Sequence, residues 1–141
     1  MERKAFRGLG GGSVFFAKDT HYLGGWSGHT KTYTGKLKKS LQLDKKGISL
    51  RGLTIIFTIP WDEIVDLEVE GAEQATRRVT AGRLALLGPL ALIAKKTKKD
   101  STLIVTTADG DQALFHPAEF TAPELRAKLL PVILQVQKAQ A

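Results

Sequence analysis

The residues best equipped for chemistry in this chain are basic. Arg77, Arg78, Arg83, Lys95, Lys96, Lys98 and Lys99 fall between Gln74 and Lys99, a stretch with no acidic residue. The chain has 21 Lys and Arg against 14 Asp and Glu, so the bases elsewhere balance the acids and the net charge of +7 belongs to this segment. Cations gathered this way attract phosphate, acidic lipid or an acidic protein surface. Between the two basic groups runs Leu84 to Ala94, without a charged or polar side chain.

Length and composition narrow what such a segment can do. A helix from Leu84 to Ala94 would rise about 16 Å, half of a hydrocarbon core near 30 Å, so it cannot span a membrane. Gly88-Pro89 would break or kink it. Nucleic-acid readout needs donors or aromatic rings interleaved with the charge. Residues 72–101 hold no aromatic, Asn or His, so nucleic acid is not an expected ligand. The simplest reading packs the apolar run against the rest of the fold and leaves the lysines in water. Two others compete with it. The run could be an interface for a protein or a second copy, or Leu86, Leu87, Leu90 and Ile93 could enter a membrane surface with Arg and Lys on headgroups. A broken helix and a hairpin turning at Gly88-Pro89 both fit.

Catalytic patterns are missing. Without cysteine there is no thiolate metal site, nucleophile or disulfide. His21, His29 and His116 have no metal-ligand spacing and read as surface or edge-strand residues. Asp62 and Glu63 are adjacent, and on a strand they would point to opposite faces. Ser13, Ser27 and Ser101 sit in no nucleophile elbow. Gly8-Leu-Gly10 lacks a preceding strand, and no Gly-Lys-Ser/Thr follows, so a phosphate loop is not expected. The expectation is a protein that is not an enzyme and uses no cofactor or metal. Trp61, where an apolar strand meets an acidic one, reads as core or corner packing. Trp26, after Gly24-Gly25 and near Tyr22 and Tyr33, is the more exposed aromatic and a candidate binding residue, although packing is the simpler reading.

The elements that must position these residues are mostly strands. Residues 1–17 read as a flexible glycine-rich leader, too weakly apolar for a signal peptide, and 18–141 as one domain. A strand is expected near Thr20 to Trp26. Leu41 and Leu43, then Ile48 and Leu50, alternate around Asp44-Lys-Lys-Gly47 as a hairpin. Leu53, Ile55, Phe57 and Ile59 make a mostly buried strand up to Pro60. Val65, Leu67 and Val69 face inward while Asp66, Glu68 and Glu70 face out. Thr102 to Thr107 and Gln112 to Phe115 flank Asp109-Gly110, a hairpin turn. Thr121-Ala-Pro-Glu124 is spaced as a capping box, ahead of Leu125, Leu129, Val132, Ile133 and Val136 at helical spacing. Pro131 should kink or divide that helix. The class is mainly β (α+β), an antiparallel sandwich or barrel of about seven strands capped by a C-terminal helix, with an apolar and basic insertion near 74–99.

Several strings, in this order, resemble the pleckstrin-homology-like superfold and its small GRAM-like members in bacteria and phages. They are Gly35-Lys-Leu37 through Leu41-Gln-Leu43, Lys46-Gly-Ile-Ser-Leu50, Ile59-Pro-Trp61-Asp-Glu-Ile64, Arg78-Val-Thr-Ala-Gly-Arg83 with Leu87-Gly88, a lysine cluster, and Asp109-Gly110. The resemblance covers about residues 20–138 and implies a binding scaffold. Its eukaryotic lipid binders carry basic ligands on the first strands and their loop. Here Lys31, Lys36, Lys38 and Lys39 lack the tight Lys-x-Arg arrangement, so headgroup binding does not transfer residue by residue. The expected function is a cytoplasmic adaptor that engages a protein partner. The alternative is a peripheral module, at the inner face of the membrane, that binds acidic lipid through 77–99.

Overall fold

The computed structural model describes residues 15–34, 39–71 and 101–140. These form seven strands and a terminal helix: β1 (Phe15–Tyr22), β2 (Lys39–Asp44), β3 (Gly47–Arg51), β4 (Ile55–Pro60), β5 (Ile64–Gly71), β6 (Ser101–Thr107), β7 (Gln112–Pro117) and α1 (Ala122–Gln140). All ladders are antiparallel, in the order β4-β3-β2-β1-β7-β6-β5. β4 and β5 stand at opposite ends of this order, so the sheet is a sandwich and not a closed barrel. One apolar core joins Leu41, Leu43, Ile48 and Ile59 of the first half to Leu67, Leu103, Val105 and Phe115 of the second. Leu125, Leu129, Val132, Ile133 and Val136 bring α1 into the same core, as their spacing requires.

β1 belongs to both halves. Phe15 and Phe16 pair with Leu43 and Gln42 of β2, whereas His21 and Tyr22 pair with His116 and Phe115 of β7. The change of partner falls at a bulge between Ala17 and Thr20, where Asp19 adopts φ 51°. β1 starts at Phe15, so three residues of the expected leader lie in the sheet; residues 1–14 are outside the described residues. The β4–β5 corner is a single 3-10 turn, Trp61–Glu63. Its Trp61 is buried and Nε1 donates to Asp44 O at 2.7 Å, the corner packing expected of it. Ala108 N donates to Glu63 O at 2.8 Å, tying the corner to the β6–β7 turn as well.

Several expectations need correcting. Leu53 is fully exposed in the β3–β4 loop and Ile55 is 43% exposed, so the buried alternation on β4 begins only at Phe57. On β5 Ile64 is buried and Val65 only half-buried, because the register shifts between Ile64 and Asp66 and makes Val65 the extra residue. Pro131 lies inside α1 without dividing it. The capping box is formed: Thr121 N donates to Glu124 Oε1 at 2.9 Å, and Glu124 N to Thr121 Oγ1 at 3.3 Å.

Candidate functional site

The start of the β1–β2 loop lies against the β6–β7 turn at 108–111, and the start of β2 lies against the β3–β4 loop at 52–54. Leu23 N donates to Leu114 O and Leu114 N to Gly24 O, which carries the β1–β2 loop along β7. Ser27 N then donates to Asp111 Oδ2 at 2.9 Å, joining that loop to the β6–β7 turn. The Lys39 side chain runs beside Gly52, joining the start of β2 to the β3–β4 loop.

Aromatic rings cluster about the β1–β2 loop. Tyr22 is fully buried, and its hydroxyl donates to His29 O at 2.6 Å. Its ring lies 4.8 Å from Phe57 and 5.1 Å from Phe115. The His29 ring lies 4.6 Å from Phe57, and its Nε2 shares a 2.9 Å hydrogen bond with the Tyr33 hydroxyl. Tyr33 is bridged to Tyr22 through paired backbone hydrogen bonds of 3.0 and 2.9 Å. Over the Tyr33 ring sit two cations, Lys31 Nζ at 5.4 Å and Lys39 Nζ at 5.8 Å from its centroid. Trp26 is half-buried with its ring 5.5 Å from Phe57. At the β3–β4 connection Leu53 and Ile55 are exposed, Ile55 paired with exposed Arg51, while Ile56 packs against the core.

Burial pushes the Tyr22 phenol up to about 12, the Asp111 carboxylate adds to the rise, and the Trp26 backbone opposes it. Tyr22 is therefore a neutral structural donor across the physiological range and not a proton carrier.

The expected site residues divide. Trp26 lies in the aromatic cluster, where packing and partial exposure combine. Tyr33 shares that position, whereas Tyr22 is core and offers no surface. Arg77, Arg78, Arg83, Lys95, Lys96, Lys98, Lys99, Leu86, Leu87, Leu90 and Ile93 lie outside the described residues, as does the choice between helix and hairpin for their segment. The histidines correct the sequence reading. His116 is buried, with Nδ1 2.6 Å from Ser101 O, and its ring stacks 5.8 Å from His21 on the inner strand β1. His116 sits on the central strand β7, between β1 and β6, and spacing in sequence does not reveal its burial. Leu53, Ile55 and the Lys39–Tyr33 contact were also missed, since alternation assigned Leu53 to the core.

Among the described residues, no three His, Asp or Glu side chains are placed to hold a metal ion. Within the same residues, no helix is long and apolar enough to cross a membrane. No family model matches the chain, nor does any curated protein or solved structure. The β1–β2 loop therefore holds a hydrogen-bonded aromatic cluster with two lysine ammonium groups over Tyr33, and the β3–β4 connection carries exposed Leu53 and Ile55.

Proposed function

We propose that the protein is a non-enzymatic binding module of pleckstrin-homology-like type that engages a protein partner through the β1–β2 loop and the β3–β4 connection. Two observations support the reading: the β3–β4 connection carries exposed apolar side chains, Leu53 fully and Ile55 43% exposed, and the β1–β2 loop holds half-buried Trp26, His29 and Tyr33 in a hydrogen-bonded aromatic cluster. Protein interfaces combine an apolar and aromatic centre with a charged rim. Rings already held by packing lose little freedom on binding, so more of their contact energy appears as affinity. The strand order and terminal helix support the family reading. A cytoplasmic location belongs to the same proposal.

The test is affinity capture from the native host with the wild type and with a Leu53→Asp/Ile55→Asp double variant of unchanged melting temperature. We expect a defined partner, held stoichiometrically by the wild type and weakened at least about tenfold by the variant, about 1.4 kcal/mol or more. Vesicles of acidic lipid provide the opposing outcome. Co-sedimentation lost on changing Lys95, Lys96, Lys98 and Lys99 to Glu, with no partner captured, would assign the protein to the membrane surface instead.

A further inference from the structure

The helix α1 is apolar on two sides. One side, from Leu125 through Leu129 and Val132 to Val136, fills the core. At about 100° per residue, the side directly opposite holds Ala127, Leu130, Pro131 and Leu134. A helix at the surface of a fold ordinarily turns charged and polar residues that way. Here all four are exposed, Leu130 by 45% and Leu134 by 54%, so neither leucine serves the core. The charges stand around this stripe: Glu124 and Lys138 at its two ends, Arg126 and Lys128 on its flanks.

We propose that the stripe is a self-recognition surface, on which a second copy of the chain lays its own α1 in antiparallel orientation. The order of charge selects that occupant. Glu124 and Lys138 lie at equal distances in sequence on either side of Pro131. A two-fold axis at Pro131 therefore sets Glu124 of each copy against Lys138 of the other, and opposite charges meet at both ends. A parallel pair would set acid against acid and base against base. Surface ion pairs contribute little energy, but they fix orientation. Glu124 keeps its capping bond to Thr121 N, since a carboxylate accepts more than one donor.

Shape agrees with charge. The same axis brings Leu134 over the small Ala127 of the other copy, and Leu130 against its own counterpart. Lys128 falls opposite uncharged Gln135. A stripe that complements its own reverse makes a closed, isologous contact. A lipid surface is served less well, because Glu124 ends the stripe and no aromatic residue lies in α1. From Ala127 to Leu134 the stripe runs only about 10 Å, short of what a standard interface of about 1,600 Å² needs. The dimer is accordingly weak, with a Kd on the order of 100 µM.

Sedimentation equilibrium of the full chain from about 5 to about 500 µM should show the mass rise from one chain toward two. Leu130→Glu/Leu134→Glu should stay monomeric throughout, at an unchanged melting temperature, because both side chains lie outside the core. Leu53→Asp/Ile55→Asp should dimerise like the wild type, which separates this surface from the binding role proposed above. The chain has no cysteine, so single thiols test the orientation. Under mild oxidation Leu130→Cys, close to the axis, should cross-link to its counterpart. Lys138→Cys, about 20 Å from its own, should do so at least about tenfold more slowly. A single-chain mass at the highest concentration would overturn the proposal, as would a dimer that survives Leu130→Glu/Leu134→Glu. Equal cross-linking of the two thiols would overturn the antiparallel seat. Acidic vesicles bound by the wild type and not by Leu130→Glu/Leu134→Glu, with no dimer in solution, would assign the stripe to a lipid surface instead. Should the glutamates lower the melting temperature, the two thiols decide alone.

Discussion

Tyr22 shows how one polar atom is accommodated in the core and what that implies for pH. Its ring is fully buried between Phe57 and Phe115, and its hydroxyl finds a single acceptor in His29 O. The folded protein holds the phenolic proton up to about pH 12, against 10.0 for the free side chain. Between those values the unfolded chain has lost the proton and the native one has kept it, so stability falls as pH rises. The contribution is fully present below pH 10 and amounts to about 2–3 kcal/mol lost by pH 12. Lysines titrate in the same range, so the measurement is the difference between the wild type and Tyr22→Phe in urea unfolding at pH 8 to 12. We expect the variant to be weaker by about 1 kcal/mol at pH 8, where His29 O loses its donor. The gap should close and reverse as pH rises; a constant gap would contradict the buried-phenol account. A buried tyrosine of this kind is invisible in sequence, as is His116. Both sit on strands whose depth depends on partners far away in the chain.

At the level of elements, the two tight hairpins use glycine differently. Gly47 and Gly110 have φ of 150° and 89°, where an L side chain is strained. A Cβ at Gly110 would meet nothing within 4 Å, but at Gly47 it would lie 2.1 Å from Ile59 O on the neighbouring strand. Gly110→Ala should therefore cost about 1–2 kcal/mol from backbone strain alone. Gly47→Ala must also push β3 from β4 or break the Gly47–Pro60 pairing, and should cost at least about 3 kcal/mol. Equal midpoint losses in denaturant for the two variants would refute the steric part of the argument. These hairpins were legible because turn chemistry is local: Asp44-Lys-Lys-Gly47 and Asp109-Gly110 mark them unaided. The capping box and the core face of α1 were legible for the same reason. The facing of β5 was legible at Leu67 and Val69 but not at its start, where Ile64 and not Val65 is buried. One extra residue at Val65 shifts which side chains point inward, and a bulge is fixed by the partner strand, not by the sequence of β5. Leu53 failed similarly: it continues an apolar alternation, yet β4 begins only at Ile55. At the candidate site, Trp26 was legible as an aromatic near Tyr33, while its neighbour Phe57 on β4 was not.

Across the whole molecule, the question is whether the two halves of the sandwich are one cooperative unit. Strand β1 divides its hydrogen bonds between β2 and β7, so neither half keeps its edge if β1 is released. Tyr22 and Phe57 touch across the halves, and Phe57 and Phe115 lie 6.2 Å apart. The corner adds a second tie, since Trp61 bonds to the β2–β3 hairpin and Glu63 to the β6–β7 turn. The helix closes the arrangement: Arg126 Nη2 donates to Val69 O at 2.6 Å on the free edge of β5 while the apolar face of α1 fills the shared core. A core of this kind should unfold as one. Leu43→Ala and Leu103→Ala each remove a fully buried side chain, from the first and second half respectively, at about 2–5 kcal/mol. Native-state hydrogen exchange should then show the slowest amides of β2, β3, β6 and β7 falling together by the same amount in either variant. A loss of protection confined to the half that carries the substitution would mean that β1 and the corner do not couple them, and that the sandwich opens along the unpaired β4–β5 side.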